Sequence, residues 1–118
     1  MKVSEVLFTN LGSLFNSNVY PLIKPESEKG LPYLVYTVLN ANPENTLDGY
    51  TGYEMVYIQL DIYALDYDTC EDLTNNTLET LSTNLKPFHY ENRRYLYEND
   101  TGLYRQSIEC YLWQSDSA

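Results

Sequence analysis

The chain has 118 residues and a formal net charge of −10, and 43% of its residues are hydrophobic. That length predicts a single domain, residues 1–118, with one core. Seven Lys and Arg against seventeen Asp and Glu exclude a nucleic-acid surface and an anionic membrane surface, because both need basic protein faces. No apolar run is long enough for a transmembrane helix, and we expect no secretory signal.

The numbers of cysteines and tyrosines give the most information about the class of protein. Cys70 and Cys110 are too few for a disulfide framework or a structural zinc site, so we expect buried free thiols in a reducing compartment. Thirteen tyrosines are unusual. Tyrosine is enriched at protein interfaces but also favours strands, so the count fits either an interaction surface or a β-rich domain.

The first part of the chain predicts one helix and one strand. Apolar residues at helical spacing predict a helix over 3–15, and the prolines and glycine of 20–32 predict a loop. Dense aromatic and β-branched residues predict a strand over Tyr33–Ala41. The polar segment Asn42–Gly52 is expected to be a long loop, and such loops are often functional.

The next strand has the most regular pattern in the chain. Alternating apolar residues predict it over Tyr53–Leu65. Ile58, Leu60 and Ile62 share one face of this strand, which we expect to face the helices. Their expected helical contacts are Leu7, Leu11, Leu73 and Leu81.

A second helix and a hairpin complete the pattern. The helix is predicted over about Thr69–Leu85, with Asp68 as its N-cap and Glu71 three residues later. Strands over Phe88–Glu98 and Leu103–Trp113 flank a turn and form a hairpin.

The order of these elements, αββαββ, predicts an α+β fold. We expect a four-stranded antiparallel sheet with both helices on one face. Numbered along the chain, the predicted strands lie in the order third, fourth, second, first. Residues 114–118 are expected to be frayed.

Catalytic and metal-binding patterns are weak. The single histidine, His89, has no nucleophile or orienting partner in a local motif. The acidic cluster Asp66–Asp72 lacks the glycine and the distant glutamate of a calcium loop, and a helix N-terminus explains it better. We therefore expect no enzyme, no metal site and no cofactor.

Two features of the predicted sheet favour a protein-contact role. The strand over Tyr33–Ala41 is an uncharged sheet edge, and natural edges are normally protected against pairing with another chain. The sheet face opposite the helices is expected to expose aromatic side chains, which indicate a partner surface. These are Tyr57, Tyr63, Tyr111 and Trp113.

Several ordered blocks of the sequence resemble the tail-completion family of long-tailed bacteriophages and prophages, also described as tail-terminator or head–tail joining proteins. The resemblance covers about residues 20–113 and depends on the order and spacing of the blocks. The blocks are Leu31–Tyr36 (LPYLVY), Pro43–Gly49 (PENTLDG), Val56–Ala64 (VYIQLDIYA), Tyr67–Leu73 (YDTCEDL), Leu103–Ile108 (LYRQSI) and Tyr111–Trp113 (YLW).

The resemblance implies a virion structural protein without catalytic residues. Such subunits form a ring, usually a hexamer, at the head-proximal end of the tail. The ring stops growth of the tail tube and joins the tail to the head connector, and DNA passes through its lumen without specific binding. The implied partners are other copies of the chain, the tail-tube protein and the connector proteins. The implied location is the head–tail junction, with assembly in the host cytoplasm.

Two alternatives remain at this level. One is a cytoplasmic protein- or ligand-binding module that uses Asn42–Gly52 and the surface tyrosines. The other is a small hydrolase with an acidic pair, which would need a carboxylate of raised pKa in a closed pocket.

For the ring, we expect the edge Tyr33–Leu39, the segment Asn42–Gly52, or both to contact the neighbouring subunit. The receptor is expected to be either the tyrosine face or the hairpin edge near Arg93 and Arg94, whose charges could pair with Glu44 and Asp48. The candidate interface residues are Tyr33, Val35, Tyr36, Thr37, Leu39, Glu44, Leu47, Asp48, Tyr50, Tyr57, Tyr63, Arg93, Arg94, Tyr111 and Trp113.

Overall fold

The computed structural model describes residues 2–27 and 30–115. Within these residues, two α-helices, one short 3-10 helix and five strands follow one another. They are α1 (Val3–Leu11), the 3-10 helix Gly12–Phe15, β1 (Val19–Pro21), β2 (Tyr33–Thr46), β3 (Gly49–Ala64), α2 (Tyr67–Asn84), β4 (Phe88–Glu98) and β5 (Leu103–Ser115).

The five strands form one mixed sheet in the order β1-β2-β3-β5-β4. All neighbours are antiparallel except β1, which pairs in parallel with the start of β2. The predicted α+β class and the relative order of the four long strands are confirmed. The prediction of a purely antiparallel, four-stranded sheet is wrong, because β1 lies within the segment 20–32 and just before it, where only a loop was expected.

Both helices cover the same face of the sheet, as predicted. Ile58, Leu60 and Ile62 of β3 are fully buried there in one cluster with both helices. Their neighbours in this cluster include the expected Leu7, Leu11 and Leu81, with Leu73 partly buried against it. Strand alternation explains the arrangement, since every second residue of β3 faces the helices.

The segment Asn42–Gly52 is not a loop. It is the outer part of the β2–β3 hairpin, in which Asn45 pairs with Tyr50 and Thr46 with Gly49 around the turn Leu47–Asp48. Gly49 follows the turn at φ 107°, a conformation that residues with a Cβ rarely adopt. We call Asn42–Gly52 the arm.

Other boundaries differ in smaller ways. The N-cap of α2 is Asp66 rather than Asp68, and the Asp66 carboxylate accepts a hydrogen bond from the Thr69 amide at 3.1 Å. Gln114 and Ser115, expected to be frayed, end β5, whereas 116–118 lie outside the described residues.

Candidate assembly surfaces

The arm extends the sheet beyond the strands that support it. β5 ends opposite Tyr53, so the outer arm has neither β5 nor β1 beside it. All side chains of 42–50 are exposed, and Leu47 at the tip is fully so. The arm contains the acidic residues Glu44 and Asp48 and no basic residue. It therefore presents an apolar tip with negative charge around it.

The base of the arm is tied to the N-terminus of α1 through Gln114. The Gln114 amide donates to a Glu54 carboxylate oxygen at 3.0 Å, and its own oxygen accepts from the Val3 amide at 3.3 Å. This bridge joins β3, β5 and α1 at the point where the arm leaves the sheet.

The edge of β2 is better protected than the sequence indicated. β1 pairs with Leu34, Val35 and Tyr36, so only the edge from Thr37 onward is uncovered. Beyond that point the register shifts at Leu39 and again after Pro43. Bulges and proline interrupt the regular row of donors and acceptors that an added strand needs. Contact through side chains therefore suits this edge better than strand addition.

The sheet face opposite the helices, which we call the open face, carries the four predicted aromatic residues. Tyr57 and Tyr111 stack with ring centroids 4.5 Å apart, and Trp113 pairs with Met55 in the next row. Tyr63 stacks on Tyr33, also at 4.5 Å. The two stacked pairs are separate, because the polar rows Gln59–Glu109 and Asp61–Ser107 lie between them on this face.

A carboxylate lies at the centre of this face. Glu109 accepts hydrogen bonds from the Tyr57 hydroxyl and from the Asn92 amide, the latter at 3.2 Å. The Tyr57 bond is the main cause that lowers the pKa of Glu109, and the same bond raises the pKa of Tyr57 to about 12. Arg94 lowers the pKa of Glu109 further, which places its positive charge near this carboxylate.

Three of the predicted interface residues are buried within the chain. Tyr33 and Val35 form a small cluster with Leu103 on the open face, and Tyr36 packs into the main core on the helix side. Each is at most 9% exposed. They contribute little accessible surface, so their place in the interface stays a prediction, and the proposed contact below does not depend on them.

The two adjacent arginines have opposite surroundings. Arg93 faces α2, where it pairs with Glu71 and donates to Asn75 at 2.8 Å and to Gln106 at 2.9 Å. Arg94 faces the open side and is exposed. Strand alternation separates them, so only Arg94 is accessible to a partner's carboxylates.

Among residues 2–27 and 30–115, no group of three or more His, Cys, Asp or Glu side chains is placed to hold a metal ion. His89 is exposed at the start of β4. Cys70 and Cys110 are buried and unpaired as predicted, and burial raises the pKa of their thiols to about 11 and about 12. A cleft of about 460 Å³ beside Lys24, Tyr33 and Arg105 is open to solvent. No helix in the described part of the chain is long and apolar enough to cross a membrane.

One exposed aromatic group was not predicted from the sequence. Tyr67, Tyr95, Tyr97 and Tyr104 come together beside the N-terminus of α2, and we call them the tyrosine cluster. Ring centroids are 5.8 Å apart for Tyr67 and Tyr104 and 4.8 Å for Tyr97 and Tyr104. The alternation Tyr95, Tyr97 on β4 was a usable signal, but it needed the β4–β5 register to bring Tyr104 alongside.

The fold is that of a small α+β domain with a five-stranded mixed sheet. The sequence matches the family model described as tail completion protein gp17 over residues 10–115, and the chain belongs to this family. The family consists of structural proteins of the phage tail and not of enzymes, and its role implies partners within the tail and head of the particle.

Comparison with solved structures gives 28 matching chains. One, from a structure described as "Virion of native gene transfer agent (GTA) particle", superposes with a TM-score of 0.61 over 87% of this chain and 82% of that chain, at 9% identity. At this identity the likeness shows a shared fold. A search of curated proteins gave no match.

Proposed function

We propose that the protein forms a ring, a hexamer, at the head-proximal end of the phage tail. There it ends growth of the tail tube and joins the tail to the head connector. Membership of the tail-completion family supports this role, and the fold shared with a chain of a gene transfer agent virion is in keeping with it. The subunit would assemble in the host cytoplasm and remain at the head–tail junction of the virion.

The arm is the observation that carries the ring proposal. A closed ring uses a head-to-tail contact, in which one surface of a subunit meets a different surface of the next. An exposed hairpin that leaves its own sheet is suited to reach a neighbour. Leu47 provides an apolar anchor at the tip, and Tyr50 adds a half-exposed aromatic ring.

The open face provides the receptor in this proposal. Tyr57, Tyr111 and Trp113 supply aromatic contact area, and Tyr63 lies further along the same face. Glu44 and Asp48 of one arm would then approach Arg94 of the next subunit. Thr37 and Leu39, on the uncovered edge of β2, would complete the contact where the arm begins.

The acidity of the chain is compatible with passage of DNA through the ring. A basic lumen would bind phosphates and retain the DNA, whereas a chain with a net charge of −10 offers few such contacts. The binding-module alternative loses its main feature, because most of Asn42–Gly52 is paired in a hairpin and does not form a loop.

The test is the mass of the protein in solution by multi-angle light scattering, over a concentration series and with purified tail tubes added. We expect a species of six times the 13.8 kDa subunit mass. Leu47→Lys should abolish this species because it puts a charge at the apolar tip. Phe8→Lys is the matched control, since Phe8 is an exposed apolar side chain on α1.

Two results would contradict the proposal. One is a wild-type chain that stays monomeric at every concentration and with tubes present. The other is a Leu47→Lys variant that forms rings of unchanged mass, which would exclude the arm as the subunit contact.

A further inference from the structure

We propose that β4 is the contact of a two-fold dimer, in which the outer edges of two β4 strands pair antiparallel and join the sheets of two copies. The partner at this edge is therefore a second copy of the chain. The contact lies at the sheet margin opposite β1, and it involves no residue of the arm.

The outer edge of β4 is open over a regular stretch of strand. β4 comes last in the sheet order, so among the described residues only β5 pairs with it. Its register shift lies near its start, between Tyr90 and Asn92, and from Asn92 to Glu98 the ladder with β5 is unbroken. This stretch contains no proline. Its outer side therefore presents regular backbone donors and acceptors that an added strand can use.

This edge lacks the usual protection against pairing. Tyr95, Leu96 and Tyr97 are consecutive and are 51%, 40% and 52% exposed, and β4 contains no lysine. Arg93 does not guard the edge, because it pairs with Glu71 and donates to Gln106 on the helix side of the sheet. An uncovered strand with a run of large exposed side chains is suited to pair with another chain.

The sequence of β4 is complementary to itself in the antiparallel direction. Residues 94–98 read Arg-Tyr-Leu-Tyr-Glu, with opposite charges at the ends, a tyrosine inside each end and a leucine at the centre. When Leu96 of one copy lies opposite Leu96 of the other, each Arg94 faces a Glu98 and each Tyr95 faces a Tyr97. Opposite charges and aromatic pairs directly across from each other stabilise antiparallel strands. A register displaced by one residue loses both ion pairs, so the charges select this one.

Both charges of the pair lie on the same face of the sheet. Arg94 pairs with Ser107 and Glu98 with Leu103 across the β4–β5 ladder, which places both on the open face with Leu96 between them. Arg94 is exposed and forms no ion pair within residues 2–27 and 30–115.

Glu98 keeps acceptor capacity for the second copy. One carboxylate oxygen accepts from the Thr101 hydroxyl at 3.2 Å, and the other is 3.9 Å from an Arg105 nitrogen. A carboxylate has about four acceptor positions, and the Glu98 side chain is 35% exposed. It can therefore accept from the Arg94 guanidinium of a second copy without giving up its contacts within the chain.

The dimer contact and the proposed ring contact are different in kind. A two-fold contact uses the same patch on both copies, so it closes at two subunits and cannot form a ring by itself. Arg94 is the residue that both contacts use, because the arm's Glu44 and Asp48 approach it in the ring. The two assemblies therefore compete for Arg94, and the dimer is a form of the free subunit.

Cysteine cross-linking tests the register. Directly opposed residues of antiparallel strands have Cα atoms about 4.5–5.5 Å apart, which a disulfide can span. Leu96→Cys should therefore form a covalent dimer of twice the 13.8 kDa subunit mass when the thiol oxidant diamide is added. The native Cys70 and Cys110 are buried.

Tyr90→Cys is the matched control for this cross-link. Tyr90 is a 47% exposed residue of the same strand, but in this register it lies opposite residue 102 of the turn and not opposite itself. A Leu96→Cys chain that stays unlinked, or that links no faster than Tyr90→Cys, overturns the inference.

A charge swap tests the ion pairs, with dimer mass measured by sedimentation over a concentration series. Arg94→Glu and Glu98→Arg each bring like charges together at both ends of the contact, so each should raise the dimer dissociation constant by about tenfold or more. The double variant restores opposite charges and should recover dimerisation. If both single variants weaken the dimer and the double variant does not recover it, Arg94 does not face Glu98 and the inference is overturned.

The outcomes for dimer and ring are distinct. Leu47→Lys should leave the dimer unchanged, and loss of the dimer in that variant would assign the contact to the arm and overturn this inference. A wild type that forms hexamers but no dimer at any concentration overturns it and leaves the ring proposal intact. A wild type that forms the cross-linked dimer but no hexamer with tail tubes present supports this inference and contradicts the proposed function.

Discussion

Glu109 and Tyr57 form the most strongly coupled polar pair of the open face. They lie on directly adjacent strands but one row apart, since Tyr57 pairs with Tyr111 and Gln59 pairs with Glu109. The diagonal contact lets the phenol donate to the carboxylate while its ring stacks on Tyr111. Asn92 of β4 adds a second donor, so the Glu109 charge is held by β3 and β4 together.

This pair predicts a measurable pH dependence. The folded pKa of Glu109 is lowered, so its contribution to stability is present above the unfolded pKa and is lost as pH falls through the folded value. The folded pKa of Tyr57 is raised to about 12, so its contribution is present below the usual value of 10.0 and is lost as pH rises through about 12. The Glu109→Gln variant should lose less stability on acidification than the wild type.

The tyrosine half of this prediction is checked by absorbance titration of phenolate formation. Subtracting the titration curve of Tyr57→Phe from that of the wild type leaves the signal of Tyr57 alone, out of thirteen tyrosines. When the same comparison is made in the Glu109→Gln background, the pKa of Tyr57 should return toward its usual value. A Tyr57 midpoint at the usual value in the wild type would show that the hydrogen bond to Glu109 is absent in solution.

Sequence alternation predicted which face each of these residues occupies, but not what each one contacts. Side chains alternate between the two faces along a strand, and this alternation puts four aromatic residues on the open face. They are Tyr57, Tyr63, Tyr111 and Trp113. Arg93 could not be placed in this way, because a register shift between Tyr90 and Asn92 reverses the alternation of β4. That shift points Arg93 toward Glu71 of α2, a contact 22 residues away in sequence.

At the scale of elements, α2 begins two residues earlier than its sequence pattern indicates. Asp66 and Asp68 each have a suitable capping partner three residues later in the sequence. The partner is Thr69 for Asp66 and Glu71 for Asp68. The structure selects Asp66, whose carboxylate accepts from both the amide and the hydroxyl of Thr69. A pattern of side chains alone could not choose between two aspartates at neighbouring capping positions.

The cap predicts an asymmetry between these two aspartates. Asp66→Ala should lower the free energy of unfolding by about 0.5–2 kcal/mol, because an orphan helix donor loses its acceptor. Asp68→Ala should cost much less, since Asp68 contributes only its charge near the helix N-terminus. Urea unfolding of both variants provides the comparison, and equal losses would mean that the cap is not at Asp66.

The arm and β1 show why short-range patterns were insufficient for the sheet. Asn42–Gly52 contains one proline and two glycines, which are typical of loops, yet pairing between β2 and β3 holds most of it as strand. β1 has only three residues, too few to display a period. Both elements form because a long neighbouring strand supplies backbone hydrogen-bond partners. This pairing is a tertiary effect, so the local amino-acid composition does not predict it.

At the scale of the molecule, protection against hydrogen exchange should follow the sheet order. Residues 56–62 of β3 have a partner strand on each side and alternate buried side chains, so their amides should exchange most slowly. Amides of the arm should exchange fastest among the strands, because the arm is two-stranded and exposed. Mass spectrometry of peptides from a deuterium pulse gives this order directly, and slow exchange at 43–52 in the monomer would contradict it.

The central position of β3 also determines how the subunit bears force. Twelve residues of β3 pair with β2 and twelve pair with β5, and these ladder bonds run across the strands. A pull that draws β3 lengthwise past both neighbours loads both ladders in shear, so many bonds must give way together. A pull that lifts β1 or β4 from the sheet margin opens bonds one after another. The sheet is therefore mechanically strongest along the direction of β3.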